Sequence, residues 1–305
     1  MADEIALVRK TPSGYLKPEY GETLPFDYLF RRWEENRGSP GLNAKSVFLT
    51  FDDGPAFCSG GILDLLALHG HKATFFVIGR NLTNPRLRSF ALRALLEGHD
   101  IGNHSYNHPD FSTISAKRAE KEIVSTYGLI DELVKEAGVD AERQNRFFRF
   151  PYGAAGSRSN YQACQDLLSA LNYQIAWWNL DTNDWRMELA WFPRPASTVI
   201  NSLKAAKPKN VVLLHERTKT MKNLGTMLHV VESRGLVSVP LSDYLFGEER
   251  GPRIRTASAT ANEAKLDSKD FLAELLGGLL PQGQTLARPH RSVSVPASLT
   301  RYTLW

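Results

Sequence analysis

Residues 48–55 read FLTFDDGP: an apolar, β-favouring run ending in two adjacent carboxylates, then Gly54 and Pro55. Side chains alternate along a strand, so Asp52 and Asp53 would face opposite sides if the strand simply continued. The Gly-Pro pair signals instead that it ends here. Two like charges side by side cost free energy unless a cation, a proton or a hydrogen-bond network compensates them. A solvated Asp-Gly turn would account for the stretch by itself. The choice rests on what the remaining chain brings alongside it.

Outward from this stretch, short β-rich runs alternate with longer helical patterns. Strands are predicted at 46–51, 73–78, 99–104, 147–151, 174–180, 211–215 and 236–240. Helices are predicted at 61–70, 85–98, 114–138, 161–172, 197–206 and 222–235. Four of these helices end at glycine (Gly70, Gly98, Gly138 and Gly235), which readily closes a helix C-terminus. The third opens at Ser112 or Ser115 and repeats apolar residues at Ile123, Tyr127, Ile130 and Val134. Strands joined by crossover helices imply parallel pairing, and seven such units predict an α/β barrel rather than an open sheet.

Barrels of this class carry chemistry at the C-terminal ends of their strands. The ionisable residues of this chain concentrate there. Asp52 and Asp53 end the first strand, His104 and His108 follow the third, Arg149 the fourth, Asp181 and Asp184 the fifth, and His215 and Glu216 the sixth. An HxxxH pair alone is more often surface or capping histidine than metal ligand. With a carboxylate from another strand end it becomes a three-ligand set with positions left for water and substrate, the pattern of catalytic metal sites. Only one aspartate is needed as ligand. The other is free to act as a base, held ionised by the cation and by Arg149.

Composition sets limits around this core. The 305 residues are 42% hydrophobic and 23% charged, as expected of a soluble protein with a substantial interior. Of the net charge of +4, the stretch from residue 251 onward carries +3, leaving no strongly basic body for nucleic acid. Cys58 and Cys164 are the only cysteines and read as free thiols. The N-terminus has no apolar signal region and no run of about 18 apolar residues exists, so a cytoplasmic chain without membrane insertion is expected. Residues 1–44 are expected to pack on the barrel, 45–246 to form it, and 247–305 to be a largely disordered, low-complexity extension with a possible partner-protein contact.

TFDDGP, HSYNH, RFPYG, DTNDW and LLH occur in this order at the strand ends. Together they resemble the five motifs of the polysaccharide deacetylases, the NodB-homology domain of carbohydrate esterase family 4. The resemblance spans about residues 45–241 and includes KATFFVIG and GHDIGNHSYNHPDFSTIS. It implies a distorted barrel of about seven strands and a metal-dependent hydrolase. The expected activity is removal of N-acetyl groups from N-acetylglucosamine-containing glycans of the chitooligosaccharide or peptidoglycan type. The alternatives are an O-acetyl esterase on xylan-like polysaccharide and an inactive carbohydrate-binding relative.

Carried over position by position, the resemblance makes Asp52 the general base and Asp53, His104 and His108 the ligands of a divalent metal. Zinc is the first choice, with Co²⁺, Mn²⁺ or Fe²⁺ as the others. Arg149 would orient Asp52, and the backbone N–H of Tyr152 would meet the oxyanion. His215 would protonate the leaving amine with Asp184, rather than Asp181, as its partner. Trp185 would shield the site and Leu213 would line the acetyl pocket. Glu216 departs from the family, which more often has Asp there. Trp191 and Phe192, in the aromatic stretch RMELAWFPRPA, fit sugar stacking and buried packing equally.

Overall fold

A computed structural model describes residues 45–139 and 146–246. The chain divides into two compact units, Met1–Arg255 and Thr256–Trp305, and every described residue belongs to the first. The expectations for 1–44 and 247–305 lie outside the described residues.

Seven parallel strands form one curved path: β1 (Ser46–Gly54), β2 (Ala73–Val77), β3 (Asp100–Asn103), β4 (Arg146–Phe148), β5 (Tyr173–Ile175), β6 (Leu180–Asp181) and β7 (Val211–His215). Their order is β5-β4-β3-β2-β1-β7-β6, and the two-residue β8 (Val237–Ser238) pairs with the start of β1. No ladder joins β5 to β6 among the described residues, so the sheet is a half-barrel. The helices are α1 (Ser59–Leu68), α2 (Pro85–Leu96), α3 (Ala116–Glu136), α4 (Arg158–Ala170), α5 (Ala196–Ser202), α6 (Thr218–Ser233) and α7 (Leu241–Phe246).

Local chemistry explains the helix starts. Asn84 accepts hydrogen bonds from the N–H groups of Arg86 and Leu87, and Pro85 opens α2, where its missing N–H costs nothing. Ser115 rather than Ser112 caps α3, and Ser157 caps α4. β1 and β2 are buried along nearly their whole length, as strands covered on both faces must be. One core cluster gathers aliphatic residues such as Ile62, Leu66 and Leu228; a second is largely aromatic, built around Phe76, Phe148, Phe150 and Trp177.

Two expectations are corrected. The first strand runs on to Gly54, with a register irregularity between Phe51 and Gly54 and Asp53 at φ 70°. That left-handed step breaks the alternation of side chains and lets both aspartates face one cavity. The predicted strand 174–180 is two short strands, interrupted at residues 176–179. There two carbonyls take a side-chain partner: Arg149 donates from Nε to that of Ala176 (3.2 Å) and from Nη2 to that of Trp177 (3.3 Å).

Candidate active site

A cleft of about 490 Å³ opens at the C-terminal ends of the strands, and Asp52, Asp53, His104, His108, Asp181 and His215 line it. Glycine at position 54 is a packing requirement: a Cβ there would fall 1.4 Å from Glu216 Oε1. Glu216 is buried, touches Ser59 Oγ, and its N–H donates to the Asp52 carbonyl at 2.9 Å, tying β7 to β1 beside both aspartates. Burial, with Asp53 and Asp52 nearby, pushes its carboxyl up to about 8.

The two histidines sit on a loop with two left-handed residues, Ser105 (φ 65°) and His108 (φ 61°). Asn103 Oδ1 accepts from the Ser105 N–H at 2.9 Å, and Ser105 Oγ from that of His108 at 3.0 Å. Glu122 on α3 holds Asn107 by its backbone N–H (2.6 Å) and side-chain amide (3.1 Å). His104 Nδ1 lies 2.8 Å from the Arg149 carbonyl. A carbonyl only accepts, so the ring proton is on Nδ1 and Nε2 presents a lone pair to the cleft. Burial lowers the pKa of His104 to about 4, which keeps that lone pair free.

His104 Nε2 is 3.7 Å from both Asp52 Oδ2 and Asp53 Oδ1, and His108 Nε2 is 3.1 Å from Asp53 Oδ1. Ligand atoms of Asp53, His104 and His108 all lie within 4.8 Å of one another. Asp53 Oδ1 is buried and makes no hydrogen bond among the described residues. An orphaned carboxylate oxygen facing two imidazole nitrogens is what a divalent cation would satisfy, so these three residues fit the expected metal.

Asp52 is held differently. Arg149, 0% exposed, donates from Nη1 to Asp52 Oδ1 at 2.8 Å and to Thr50 Oγ1 at 2.7 Å. Its guanidinium stacks 4.0 Å over the Phe76 ring. On the facing wall, Asp184 grips His215 twice: Oδ1 to Nδ1 at 2.8 Å, and Oδ2 to the backbone N–H at 2.8 Å. Thr220 also donates to Oδ2, at 2.5 Å. Burial alone would lower the His215 pKa, but the Asp184 carboxylate raises it to about 9. Asp181 instead accepts from the Asn183 N–H at 2.7 Å.

Tyr152, Trp185 and Leu213 also line the cleft, with Tyr152 in the left-handed region at φ 59° and its ring 4.5 Å from that of His108. Trp191 and Phe192 are 84% and 94% exposed, so they are not buried packing. Neither lines the cleft. Cys58 and Cys164 are free, and burial raises both thiols to about 11.

Arg217 was not anticipated. Its Nη2 lies 2.6 Å from Asp53 Oδ2, so it balances that carboxylate through the oxygen not facing the histidines. Its place two residues after His215 was the available signal. Thr220, Arg80, Asn81 and Trp178 were missed too, as single polar or aromatic residues outside any motif.

An aspartate–imidazole cluster beside an arginine-anchored carboxylate and an aspartate-paired histidine, all at the strand ends of a parallel half-barrel, marks an α/β protein whose ionisable groups converge on one cleft. Comparison with known proteins narrows the class. The family model described as polysaccharide deacetylase matches residues 40–175. A chitooligosaccharide deacetylase of Bradyrhizobium is 30% identical over 237 residues, covering 72% of this chain and 97% of that protein. A peptidoglycan-N-acetylglucosamine deacetylase of Listeria monocytogenes is 33% identical over 213 residues, covering 67% of this chain. The chain spans only 40% of the Listeria protein's length. Among solved structures, a peptidoglycan N-acetylglucosamine deacetylase bound to an N-hydroxybenzamide compound is similar at 28% identity and TM-score 0.57, covering 74% of this chain and 99% of that one. The chain belongs to the polysaccharide deacetylase family.

Proposed function

We propose that this protein is a metal-dependent deacetylase that hydrolyses the N-acetyl groups of N-acetylglucosamine-containing oligo- or polysaccharides. The observation that carries the reading is the division of labour between adjacent carboxylates. Asp53 faces two imidazole nitrogens, while Asp52 is turned to Arg149. The relatives named as chitooligosaccharide and peptidoglycan deacetylases support the substrate class.

Asp53, His104 and His108 would hold the cation, zinc by the nature of its two-nitrogen, one-oxygen donor set. When bound, it supplies Lewis-acid polarisation of the acetyl carbonyl and an acidified water. Asp52, held in place by Arg149, accepts the proton of the attacking water. The tetrahedral carbon then carries a negative oxygen, toward which the Tyr152 backbone N–H is the chain's own donor. His215, charged through Asp184, gives a proton to the departing amine, which leaves only when protonated. Leu213 lines the pocket for the acetyl methyl and Trp185 limits water access.

The test is acetate release from chitooligosaccharides, peptidoglycan fragments and acetylated xylan, each with zinc and with chelator. Zinc-dependent release from the first two is expected. Release from xylan alone would replace the amidase reading with an esterase, and none from any substrate in metal-replete protein would replace it with a binding role.

A further inference from the structure

Three of the eight histidines gather away from the cleft. His69 follows α1 as its C-terminal cap, His71 lies two residues before β2, and His229 is on α6 one turn before Glu232. This is the N-terminal edge of the sheet, whereas the cleft lies at the C-terminal ends of the same strands.

The three imidazoles share one carboxylate, that of Glu232. His69 Nδ1 is 2.7 Å from Glu232 Oε1, and His229 Nδ1 is 2.9 Å from Oε2. Donor atoms of His69, His229 and Glu232 all lie within 4.8 Å of one another. His71 is constrained differently, because its Nδ1 accepts the Ser238 backbone N–H at 3.0 Å. Its proton therefore resides on Nε2, which is buried, makes no hydrogen bond among the described residues, and lies 3.4 Å from Glu232 Oε1. Such a ring cannot offer Nε2 as a ligand. It faces the carboxylate from behind at 3.4 Å, the place occupied by the outer partners of metal-binding groups.

We propose that His69, His229 and Glu232 form a second metal site for a divalent transition ion, with His71 orienting the carboxylate. Two imidazoles and one carboxylate suit zinc, nickel or copper and disfavour magnesium or calcium, which prefer oxygen-only shells. Binding would exchange the short contacts to Glu232 for bonds to the ion, each ring taking the tautomer with its proton on Nε2. His229 is 78% exposed, so the ion has a path from solvent and an open position. The site joins the end of α1 to a helix more than 150 residues later, as a clip that acts on stability by mass action rather than on the chemistry.

The experiment is zinc titration by calorimetry of the full chain after chelator treatment, with circular dichroism as a check on folding. A chain carrying His104→Ala and His108→Ala is expected to retain about one equivalent of zinc, with a thermal midpoint that rises with zinc. Adding the exposed substitution His229→Gln should remove that equivalent, and His71→Phe should weaken it by about tenfold. In the otherwise unaltered chain, His229→Gln should lower the bound zinc by one equivalent and leave acetate release at saturating zinc unchanged. No zinc bound to the His104→Ala, His108→Ala chain while it is folded would overturn the proposal. So would an equivalent that persists with His229→Gln and Glu232→Gln together, leaving a plain hydrogen-bonded histidine cluster. If the cleft itself takes no zinc, the unaltered chain binds one equivalent and His229→Gln abolishes it, so the two sites are judged separately.

Discussion

Asp52 and Asp53 are neighbours in sequence that contact different partners, Arg149 for the first and His108 with Arg217 for the second, and substitutions should separate them. Asp52→Asn keeps the shape and the contact with Arg149 but removes the base; turnover is expected to fall by ~10²–10⁴-fold with bound metal unchanged. Asp53→Asn should lose metal first and activity with it. Metal analysis alongside acetate release distinguishes the two. His215 gives a pH signature. With a pKa of about 9 it stays protonated through neutral pH, and activity should decline as pH rises through that value. Asp184→Asn removes the carboxylate that raises it while burial still lowers it, so the alkaline limb of the rate profile should move to lower pH. A role confined to packing would lower the rate without moving that limb.

At the level of elements, two glycines should respond in opposite directions to the same substitution. Gly54→Ala at the end of β1 drives a methyl into the buried Glu216 and should destabilise by about 1–3 kcal/mol. Gly128→Ala inside α3 meets nothing within 4 Å and should stabilise by up to about 1 kcal/mol through helix propensity. Thermal melts of the two variants check both signs. Long amphipathic helices such as α3 were legible in the sequence, because a stripe from Ile123 to Val134 admits one periodicity. The residues that converge on the cleft were legible because they follow strands whose ends must share one rim. The left-handed turn at Asp53 was not, since hydropathy says nothing about φ. Nor was the break at 176–179, where an apolar AWWN reads as continuous strand and the competing partner, Arg149, is distant in sequence. Arg217 was hidden for the opposite reason: one arginine after a motif looks like any surface arginine until Asp53 is found beside it.

For the whole molecule, the buried ionisable groups set how stability varies with pH. Glu216 titrates at about 8 folded and near 4.5 unfolded, so the folded chain keeps a proton that the unfolded chain has released. Its contribution is present at low pH and lost as pH rises from 4.5 through 8. His215 acts in the same direction, its stabilisation present below 6.5 and lost as pH rises through 9. His104 in the metal-free chain acts oppositely, since the unfolded chain takes up its proton near 6.5 and the folded chain only near 4. Calorimetry of metal-free protein should therefore show the midpoint falling from pH 6.5 to 9, and Glu216→Gln should make that fall shallower. The unclosed seam between β5 and β6 has a consequence of its own. A continuous ladder across 176–179 would consume the two carbonyls that solvate the Arg149 guanidinium, stranding a cation in an oily interior. A descendant that zipped the cylinder shut would have to surrender that arginine, and with it the clamp that holds Asp52 in the cleft, so incomplete architecture and the placement of that carboxylate are inherited as one trait.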